Sequence, residues 1–287
     1  MNTEDGAATG ERPNSLRPLS PRGVEQLAEF DGNAVQARDA STVVLLRNAP
    51  RGLESLFLRR QPSMAFAAGM HVFPGGGVQQ SDREAGVPWA GSSAQKWSDI
   101  LGCSPELARS LVVAAVRETF EETGVLLAGP DEVTVVADAS TAALQDARIA
   151  LEAKQLSLRD FLLAQGLMLR ADLLHAWAHW ITPAHEPRRF DTRFFVAALP
   201  QGQRIGALPR EADRTLWLPV RAAADAARAG ELAMMAPTSH TCRSLAGLAD
   251  VDELAVASAA RPLVTIEPRV VDIAGRRYLD MPPAHEF

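Results

Sequence analysis

Three observations predict a mixed α+β fold for this chain. Its 287 residues are 47% hydrophobic and 22% charged, which is typical of a globular protein that buries a sizeable core. Several short runs of β-branched and aromatic residues have the composition of strands, and segments with helical spacing lie between them. Because the two kinds of element do not alternate strictly, we expect a mixed sheet rather than a purely parallel one.

The chain is predicted to begin with a flexible tail and then a β-hairpin. Residues 1–22 are rich in Gly, Pro, Ser and charged residues, so we expect a tail there and a single domain over 23–287. Residues 42–46 and 55–59 are strand-like and flank a turn at 48–52. This pattern is typical of a hairpin.

A capped helix is the best-defined element further along the chain. Residues 70–73 are predicted to be a short strand, and the polar segment near 80–107 is interpreted as an insertion. Ser104 is a favourable N-cap and Gly124 suits the position after a helix end, so the sequence predicts a helix between them. The residues 140–165 have helical spacing and predict one or two helices. The other predicted elements are strands at 176–181, 192–198 and 215–218 and helices at 222–229 and 239–248.

Charge and cysteine content exclude several function classes. The net charge of −6 argues against a general nucleic-acid-binding surface. No apolar run approaches the roughly 18 residues that span a bilayer, and the first residues lack the apolar core of a signal peptide. Cys103 and Cys242 are isolated, which suits a reducing compartment. We therefore expect a cytoplasmic protein with no nucleic-acid or membrane partner; monomer and homodimer both remain open.

Three glutamates in the predicted helix form the clearest candidate site. Glu118, Glu121 and Glu122 are spaced so that a helix places all three carboxylates on one face. Packed like charges are destabilising unless a cation lies among them, and Arg117 can brace Glu121. A hard divalent cation such as Mg²⁺ or Mn²⁺ prefers oxygen ligands of this kind. An exposed acidic face is the alternative, but the apolar run 111–116 indicates a packed helix.

A glycine-rich stretch and this helix together resemble the Nudix box. The family pattern is G-x5-E-x7-R-E-U-x-E-E-x-G-U, with U apolar, and Gly76 and the run 117–125 match its start and its second half. Asp82 stands where the pattern has its first glutamate, Thr119 takes an apolar position, and about 27 extra residues separate the two halves. A box split in this way resembles the coenzyme A diphosphatases of the peroxisomal type and their bacterial relatives.

Motifs outside the box resemble the same branch. Residues 58–62 and 69–76 are similar to its coenzyme A-associated motif, although Gln61 and Ala65 differ from it. The resemblance extends over roughly residues 40–248. Further similar segments are 180–183, 188–195, Glu211, 217–219 and 237–238.

The resemblance implies a Nudix-type α/β/α sandwich with a mixed β-sheet. In it, insertions near 80–107 and 138–172 are expected to build a lid or side wall. It also implies metal-dependent hydrolysis of a diphosphate linkage in a nucleoside-diphosphate derivative, with coenzyme A or an acyl derivative as the favoured substrate. ADP-ribose and NADH are alternative substrates, and a module that binds such a metabolite without cleaving it is an alternative function.

The expected metal ligands and general base follow from the same resemblance. Glu118, Glu121 and Glu122 are the expected ligands of Mg²⁺ or Mn²⁺, with the Gly76 carbonyl as an added ligand. Either Glu118 or Glu211 is the expected general base.

Five further residues are candidates for substrate contacts: Arg59, Arg60, His71, Arg189 and Arg193. For the arginines, which suit phosphate groups, the alternative is ion pairing at strand ends. For His71 the alternative is packing or a backbone hydrogen bond. His175 and His179 have a spacing that a zinc site uses, but no third ligand is evident, and we favour a strand without zinc.

Overall fold

The computed structural model describes residues 16–64, 67–209 and 211–281. The helices are α1 (Pro21–Glu29), α2 (Ala94–Leu101), α3 (Pro105–Thr123), α4 (Ala142–Glu152), α5 (Leu158–Gln165), α6 (Val220–Ala229), α7 (Ala236–Leu245) and α8 (Leu254–Ala259). The strands are β1 (Leu16–Pro18), β2 (Arg38–Ala49), β3 (Gly52–Arg60), β4 (His71–Val72), β5 (Gly75–Gly77), β6 (Trp89–Ala90), β7 (Ala128–Gly129), β8 (Met168–Arg170), β9 (His175–Ile181), β10 (Phe190–Ala198), β11 (Ala212–Pro219), β12 (Thr265–Ile266), β13 (Arg269–Ile273) and β14 (Arg276–Asp280).

The central sheet is mixed and has eight strands. Six of them follow one another in the order β11, β3, β2, β10, β9, β12, while β4 pairs with β3 and β5 pairs with β2. β2 runs antiparallel to β3 and parallel to β10. Both the mixed sheet and the first hairpin were predicted, and both are confirmed.

The hairpin opens away from its turn, and the glycine-rich stretch lies in the gap. Beside the turn β2 pairs with β3, whereas residues 40–42 of β2 pair with β5 and the end of β3 pairs with β4. A Cβ added to Gly75 would stand 2.4 Å from the backbone oxygen of Ser41. The close approach of the two strands therefore requires glycine at this position.

Helices cover both faces of the sheet. Val43 and Leu45 of β2 join a core formed with α2 to α5, whereas Val44 and Leu46 join a core formed with α6 to α8. Successive side chains of a strand point to opposite faces, so a strand buried on both faces is apolar without alternation. This arrangement confirms the α/β/α sandwich.

Helix α3 carries the predicted glutamates and has the predicted ends. The Ser104 side chain accepts a hydrogen bond from the backbone N–H of Leu107 at 3.2 Å, and Gly124 has a left-handed φ of 75°. The Ser41 hydroxyl donates to the Leu111 carbonyl at 2.7 Å and holds the middle of the helix against β2. The last turns of α3 consequently lie beside β5.

The two segments interpreted as insertions join each other beside α3. The first contains a 3₁₀ turn at Ser81–Arg83 together with β6 and α2, and the second contains α4, α5 and β8. β8 pairs with both β6 and β7 in a separate small sheet. Arg159 of α5 also pairs with Glu84 at 3.3 Å.

The predicted flexible tail is wrong for residues 16–22. β1 pairs with β14, and β14 pairs with β13, in a third sheet built from both ends of the described chain. Ser20 caps α1 by accepting a hydrogen bond from the Gly23 N–H at 3.1 Å. Local composition could not reveal a strand whose partner lies at the opposite end of the sequence. Residues 1–15 lie outside the described residues.

No helix in the described part of the chain is long and apolar enough to cross a membrane.

Candidate active site

Two of the three predicted glutamates, Glu118 and Glu122, face the glycine strand β5. The Gly75 N–H donates to Oε2 of Glu122 at 2.8 Å. A Cβ added to Gly76 would stand 2.4 Å from Oε1 of Glu118, so a residue larger than glycine would collide with this carboxylate. The helix and the strand therefore bring Gly76, Glu118 and Glu122 together as the sequence predicts.

Arg117 lies at the centre of the site and is only 1% exposed. Its Nε and Nη2 donate to the two oxygens of Asp82, each at 2.8 Å, and Nη2 also donates to the Gly77 carbonyl at 3.1 Å. Its Nη1 donates to Glu118 at 2.8 Å and to Glu121 at 3.2 Å. One guanidinium thus links the two halves of the split motif.

Asp82 is the residue that replaces the first glutamate of the motif, and it is buried at 1% exposure. Its Oδ2 also accepts a hydrogen bond from the Gln79 N–H at 2.7 Å. The short 3₁₀ turn at Ser81–Arg83 therefore presents the carboxylate to Arg117 in a fixed, bidentate geometry. The shorter side chain is sufficient because this turn brings its backbone close to α3.

Burial disfavours the charged forms of the glutamates. It raises the pKa of Glu121 to about 7, although the positive charge of Arg117 opposes the shift. Burial also raises the pKa of Glu118, and it raises that of Glu122 well above its usual range, with the nearby charge of Glu118 adding to the effect. For Arg117, the hydrogen bonds and charges of its carboxylate partners outweigh burial and raise its pKa.

Arg60 and Glu211 complete the site at its solvent side. Arg60 ends β3 and pairs with Glu211 at 3.4 Å; the Glu211 side chain is 60% exposed. The charge of Arg60 lowers the pKa of Glu122 and that of Glu211 raises it, so both residues lie close to the carboxylates. Of the five candidates for substrate contacts, Arg60 is the one that the structure brings to this site.

The other four candidates have partners within the protein. These partners are the ion pairs and the backbone hydrogen bond that the sequence analysis gave as alternatives to substrate contacts. Arg59 points away from Arg60 along β3 and pairs with Asp213 at 2.5 Å. Arg193 pairs with Asp191. The His71 ring lies 3.3 Å from the Ala233 carbonyl, and burial lowers its pKa.

Arg189 ties the end of β9 to neighbouring segments. Its guanidinium donates to the carbonyls of Thr182 and Val35, each at 2.9 Å, and to Glu267 at 2.5 Å. The prediction that it contacts phosphate therefore has no support in the geometry.

The zinc alternative also fails on geometry. His179 lies on β9, and its Nε2 is 2.6 Å from Asp191 while its Nδ1 is 2.7 Å from the Thr265 hydroxyl. Both ring nitrogens thus have protein partners.

Arg148 is a residue of the site that sequence reasoning missed. It is 6% exposed and its Nε donates to the backbone carbonyl of Glu121 at 2.9 Å. The available signal was its spacing, because Leu144, Arg148 and Leu151 share the buried face of α4. An arginine at an otherwise apolar position of a helix indicates a buried polar contact.

A separate cavity of about 370 Å³ lies outside the carboxylate site. Arg22, Arg188, Met70 and Met235 are among its lining residues, whereas none of the site glutamates lines it. It adjoins the site through the backbone, since the Arg60 N–H donates to the Met70 carbonyl at 3.0 Å.

The donor set suits a hard divalent cation. In the described residues, no group of three His, Cys, Asp or Glu side chains is already arranged around a common point. The carboxylates instead point to Arg117 and to Gly75. Five carboxylates, with Asp82 and Glu211 among them, lie near the guanidiniums of Arg117 and Arg60, and all of them except Glu211 are mostly buried. Oxygen ligands of this kind suit a hard divalent cation.

The fold and this site define the chain as a Nudix protein. The chain belongs to the family of the NUDT19 Nudix domain, whose sequence pattern matches residues 94–243, about half of its length.

Relatives and solved structures agree with this classification. The human acyl-coenzyme A diphosphatase NUDT19 is 29% identical, over 71% of this chain and 63% of that protein. Putative nudix hydrolase 7 of Caenorhabditis elegans is 26% identical, over 75% of this chain and 62% of that protein. This chain thus spans less than two thirds of both relatives. The crystal structure of a Nudix hydrolase from Alicyclobacillus acidocaldarius superimposes with a TM-score of 0.62 at 30% identity, over 80% of this chain and 99% of that one.

Proposed function

We propose that this protein hydrolyses the diphosphate linkage of coenzyme A or an acyl derivative, with Mg²⁺ or Mn²⁺ as the metal. The carrying observation is a carboxylate-rich site in which Glu118 and Glu122 pack against β5 and Arg117 holds Glu118 and Glu121. The name of the human relative, an acyl-coenzyme A diphosphatase, supports this substrate class.

In this proposal, Glu118, Glu121 and Glu122 hold the metal, with the Gly76 carbonyl as an added ligand. The bound ion supplies neutralisation of the diphosphate and activation of water. Arg117 orients Glu118 and Glu121, and the Gly75 N–H orients Glu122 through one oxygen. Such positioning and charge stabilisation is most of what phosphoryl chemistry requires of a protein.

We propose Glu211 as the general base. Glu118 is the alternative, but its side chain is 12% exposed and it is bound to Arg117. Glu211 is mostly exposed, lies at the edge of the site and has a longer ion pair to Arg60. It can therefore accept a proton from water that approaches from the solvent side.

We propose that Arg60 contacts the 3′-phosphate, which coenzyme A carries beyond its diphosphate and dephospho-coenzyme A lacks. It is the guanidinium at the solvent side of the carboxylate cluster, and a guanidinium offers paired donors to phosphate. The neighbouring cavity, with Arg22 and Arg188 in its lining, is our proposed location for a more distant part of the substrate.

Product analysis with the purified chain tests the function. Incubation with coenzyme A and Mn²⁺ is expected to consume one water and to give two products. One is adenosine 3′,5′-bisphosphate, which keeps the 3′-phosphate of coenzyme A, and the other is 4′-phosphopantetheine. Glu121→Gln is expected to abolish this reaction, while the exposed Glu132→Gln keeps it. Cleavage of ADP-ribose or NADH without cleavage of coenzyme A would overturn the substrate assignment. Binding of these compounds without any cleavage would overturn the enzymatic one.

We also propose a cytoplasmic location, a single domain over residues 23–287 to which the described residues 16–22 are joined, and a protein that is either a monomer or a homodimer. Cell fractionation tests the first, limited proteolysis the second and light scattering the third.

A further inference from the structure

The C-terminal end of α3 is held by three different parts of the chain. The Phe120 carbonyl accepts from the Gly124 N–H at 2.9 Å, and the Thr123 carbonyl accepts from the Gly206 N–H at 2.8 Å. Between them, the Glu121 carbonyl accepts from Nε of Arg148 at 2.9 Å. Two of the carbonyls that the helix end leaves without internal partners, those of Glu121 and Thr123, thus find partners from distant parts of the chain.

Arg148 reaches this end of α3 from α4, inside the second insertion. Its Nη2 donates to the Ala207 carbonyl at 2.8 Å, and its Nη1 lies 3.3 Å from the Gln145 side-chain oxygen. All of these acceptors are neutral. The guanidinium therefore brings a buried positive charge to the negative end of the helix dipole, next to the turn that bears Glu121 and Glu122.

The guanidinium of Arg148 is closely packed against two glycines. A Cβ added to Gly206 would stand 2.8 Å from Nη1 of Arg148, and one added to Gly124 would stand 3.4 Å from it. The two glycines also approach each other closely, since a Cβ on Gly124 would stand 3.2 Å from the Gly206 backbone. The guanidinium of Arg148 consequently packs closely against the backbones of Gly124 and Gly206.

We propose that Arg148 is a positioning residue for the metal ligands. By holding the backbone of Glu121, it fixes the last turn of α3 and with it the carboxylates of Glu121 and Glu122. Through this contact the second insertion controls the affinity of the site for a divalent cation. The inference rests on the proposed function in one respect, namely that these carboxylates bind the metal.

Arg148 contacts the backbone of a predicted metal-ligand residue, and this contact separates it from residues that only pack. Without Arg148, the Glu121 carbonyl loses its partner in a buried place, and the last turn can relieve this by unwinding. Unwinding moves the Glu122 carboxylate away from Gly75 and the Glu121 carboxylate away from Arg117. Replacing a residue that contacts and orients a metal ligand, without binding the metal itself, typically lowers metal affinity or activity by roughly 10- to 100-fold.

A matched control exists in the same insertion. Arg170 is also buried, at 5% exposure, and donates to Asp172 at 2.6 and 2.8 Å and to the Thr134 carbonyl at 2.6 Å. These hydrogen bonds tie β8 to neighbouring loops and do not include α3. Arg170→Gln therefore disturbs the insertion without removing a contact to the metal-ligand helix.

The test compares Mn²⁺ binding to the full chain by electron paramagnetic resonance, together with Tm and steady-state kinetics. Arg148→Gln is expected to weaken Mn²⁺ binding by about 10- to 100-fold, with KM for coenzyme A at saturating Mn²⁺ unchanged within about twofold. Arg170→Gln is expected to lower Tm and to leave Mn²⁺ binding as in the wild type. Arg148→Lys, which keeps the charge, is expected to restore part of the affinity.

Gly206→Ala provides a second variant in case Arg148→Gln does not fold. Its methyl group would displace the mobile end of the Arg148 side chain while the charge remains, and we expect weaker Mn²⁺ binding here too. Wild-type Mn²⁺ affinity in both variants, or equal weakening by Arg170→Gln, would overturn the inference while the proposed function stands. A wild-type chain that binds no Mn²⁺ would overturn both.

Discussion

Replacing Glu121 by Gln should stabilise the metal-free protein at high pH while it abolishes turnover. Glu121 is 7% exposed, and burial raises its pKa to about 7 in the folded chain. In the unfolded chain a glutamate has a pKa of about 4.3. Since the folded state holds the proton more tightly, this carboxylate favours folding at low pH. That contribution disappears as the pH rises through about 7.

The expected size of the effect follows from the shift. One pKa unit corresponds to about 1.4 kcal/mol, so ionising Glu121 lowers the free energy of unfolding by about 3 kcal/mol between pH 4 and pH 8. The glutamine side chain does not ionise, so the variant does not lose this stability as the pH rises. Arg117 keeps Asp82 and Glu118 as partners in the variant, so no buried cation is left without an anion. At about 2 °C per kcal/mol for a domain of this size, Tm at pH 8 should rise by about 6 °C.

Thermal melts in EDTA at pH 5 and pH 8 provide the measurement. The difference in Tm between Glu121→Gln and wild type should be small at pH 5 and large at pH 8. Glu132→Gln is the matched control, because this glutamate is exposed, and its Tm difference should not change with pH. Equal Tm differences at both pH values, or a destabilised variant at pH 8, would refute the electrostatic reasoning.

Three further predictions concern the buried pair, the substrate and the metal. Asp82→Asn should lower the free energy of unfolding by about 3 kcal/mol in urea, since it breaks a buried pair with Arg117; the half-exposed Glu84→Gln should lower it by less than about 1 kcal/mol. Arg60→Ala should reduce kcat/KM for coenzyme A about tenfold more than for dephospho-coenzyme A, whereas Arg59→Ala, on the other face of β3, should affect both equally. Mn²⁺ at 100 times its Kd should stabilise the wild type by about 2.7 kcal/mol in thermal melts.

Each of these predictions has a result that contradicts it. Equal destabilisation by the Asp82 and Glu84 variants would show that the buried pair contributes no more to the free energy of unfolding than a half-exposed one. Equal losses on both substrates in the Arg60 variant would assign this residue to the shared diphosphate or to the fold. A Tm that does not change when Mn²⁺ is added would refute the assignment of the metal site.

Local signals in the sequence determined the elements that carry the site. The ends of α3 could be predicted because Ser104 and Gly124 act through contacts within a few residues of themselves. The common face of Glu118, Glu121 and Glu122 follows from helix geometry alone. The resemblance to a split Nudix box then connected this helix to Gly76, and the family match over residues 94–243 agrees with the second half of that box.

Tertiary structure decided which predicted residues reach the site. Arg59 and Arg60 are neighbours with the same chemistry, but the faces of β3 separate them, and the packing of the strand determines which face meets α3. The tail prediction failed for residues 16–22 because the partner of β1 lies at the other end of the described chain. Composition does not report such distant pairing.

The partnerships of the buried arginines were likewise invisible in the sequence. In the sequence, Asp82, Arg117 and Arg148 lie far apart. Their segments were interpreted as the first insertion, the second half of the Nudix box and the second insertion. Only the fold brings Asp82 within 2.8 Å of Arg117 and Arg148 within 2.9 Å of the Glu121 backbone. The sequence by itself therefore determined the helix, its glutamates and the protein class. The side chains that hold those glutamates in place depended on long-range packing, because a buried charge takes whichever partner the surrounding chain brings to it.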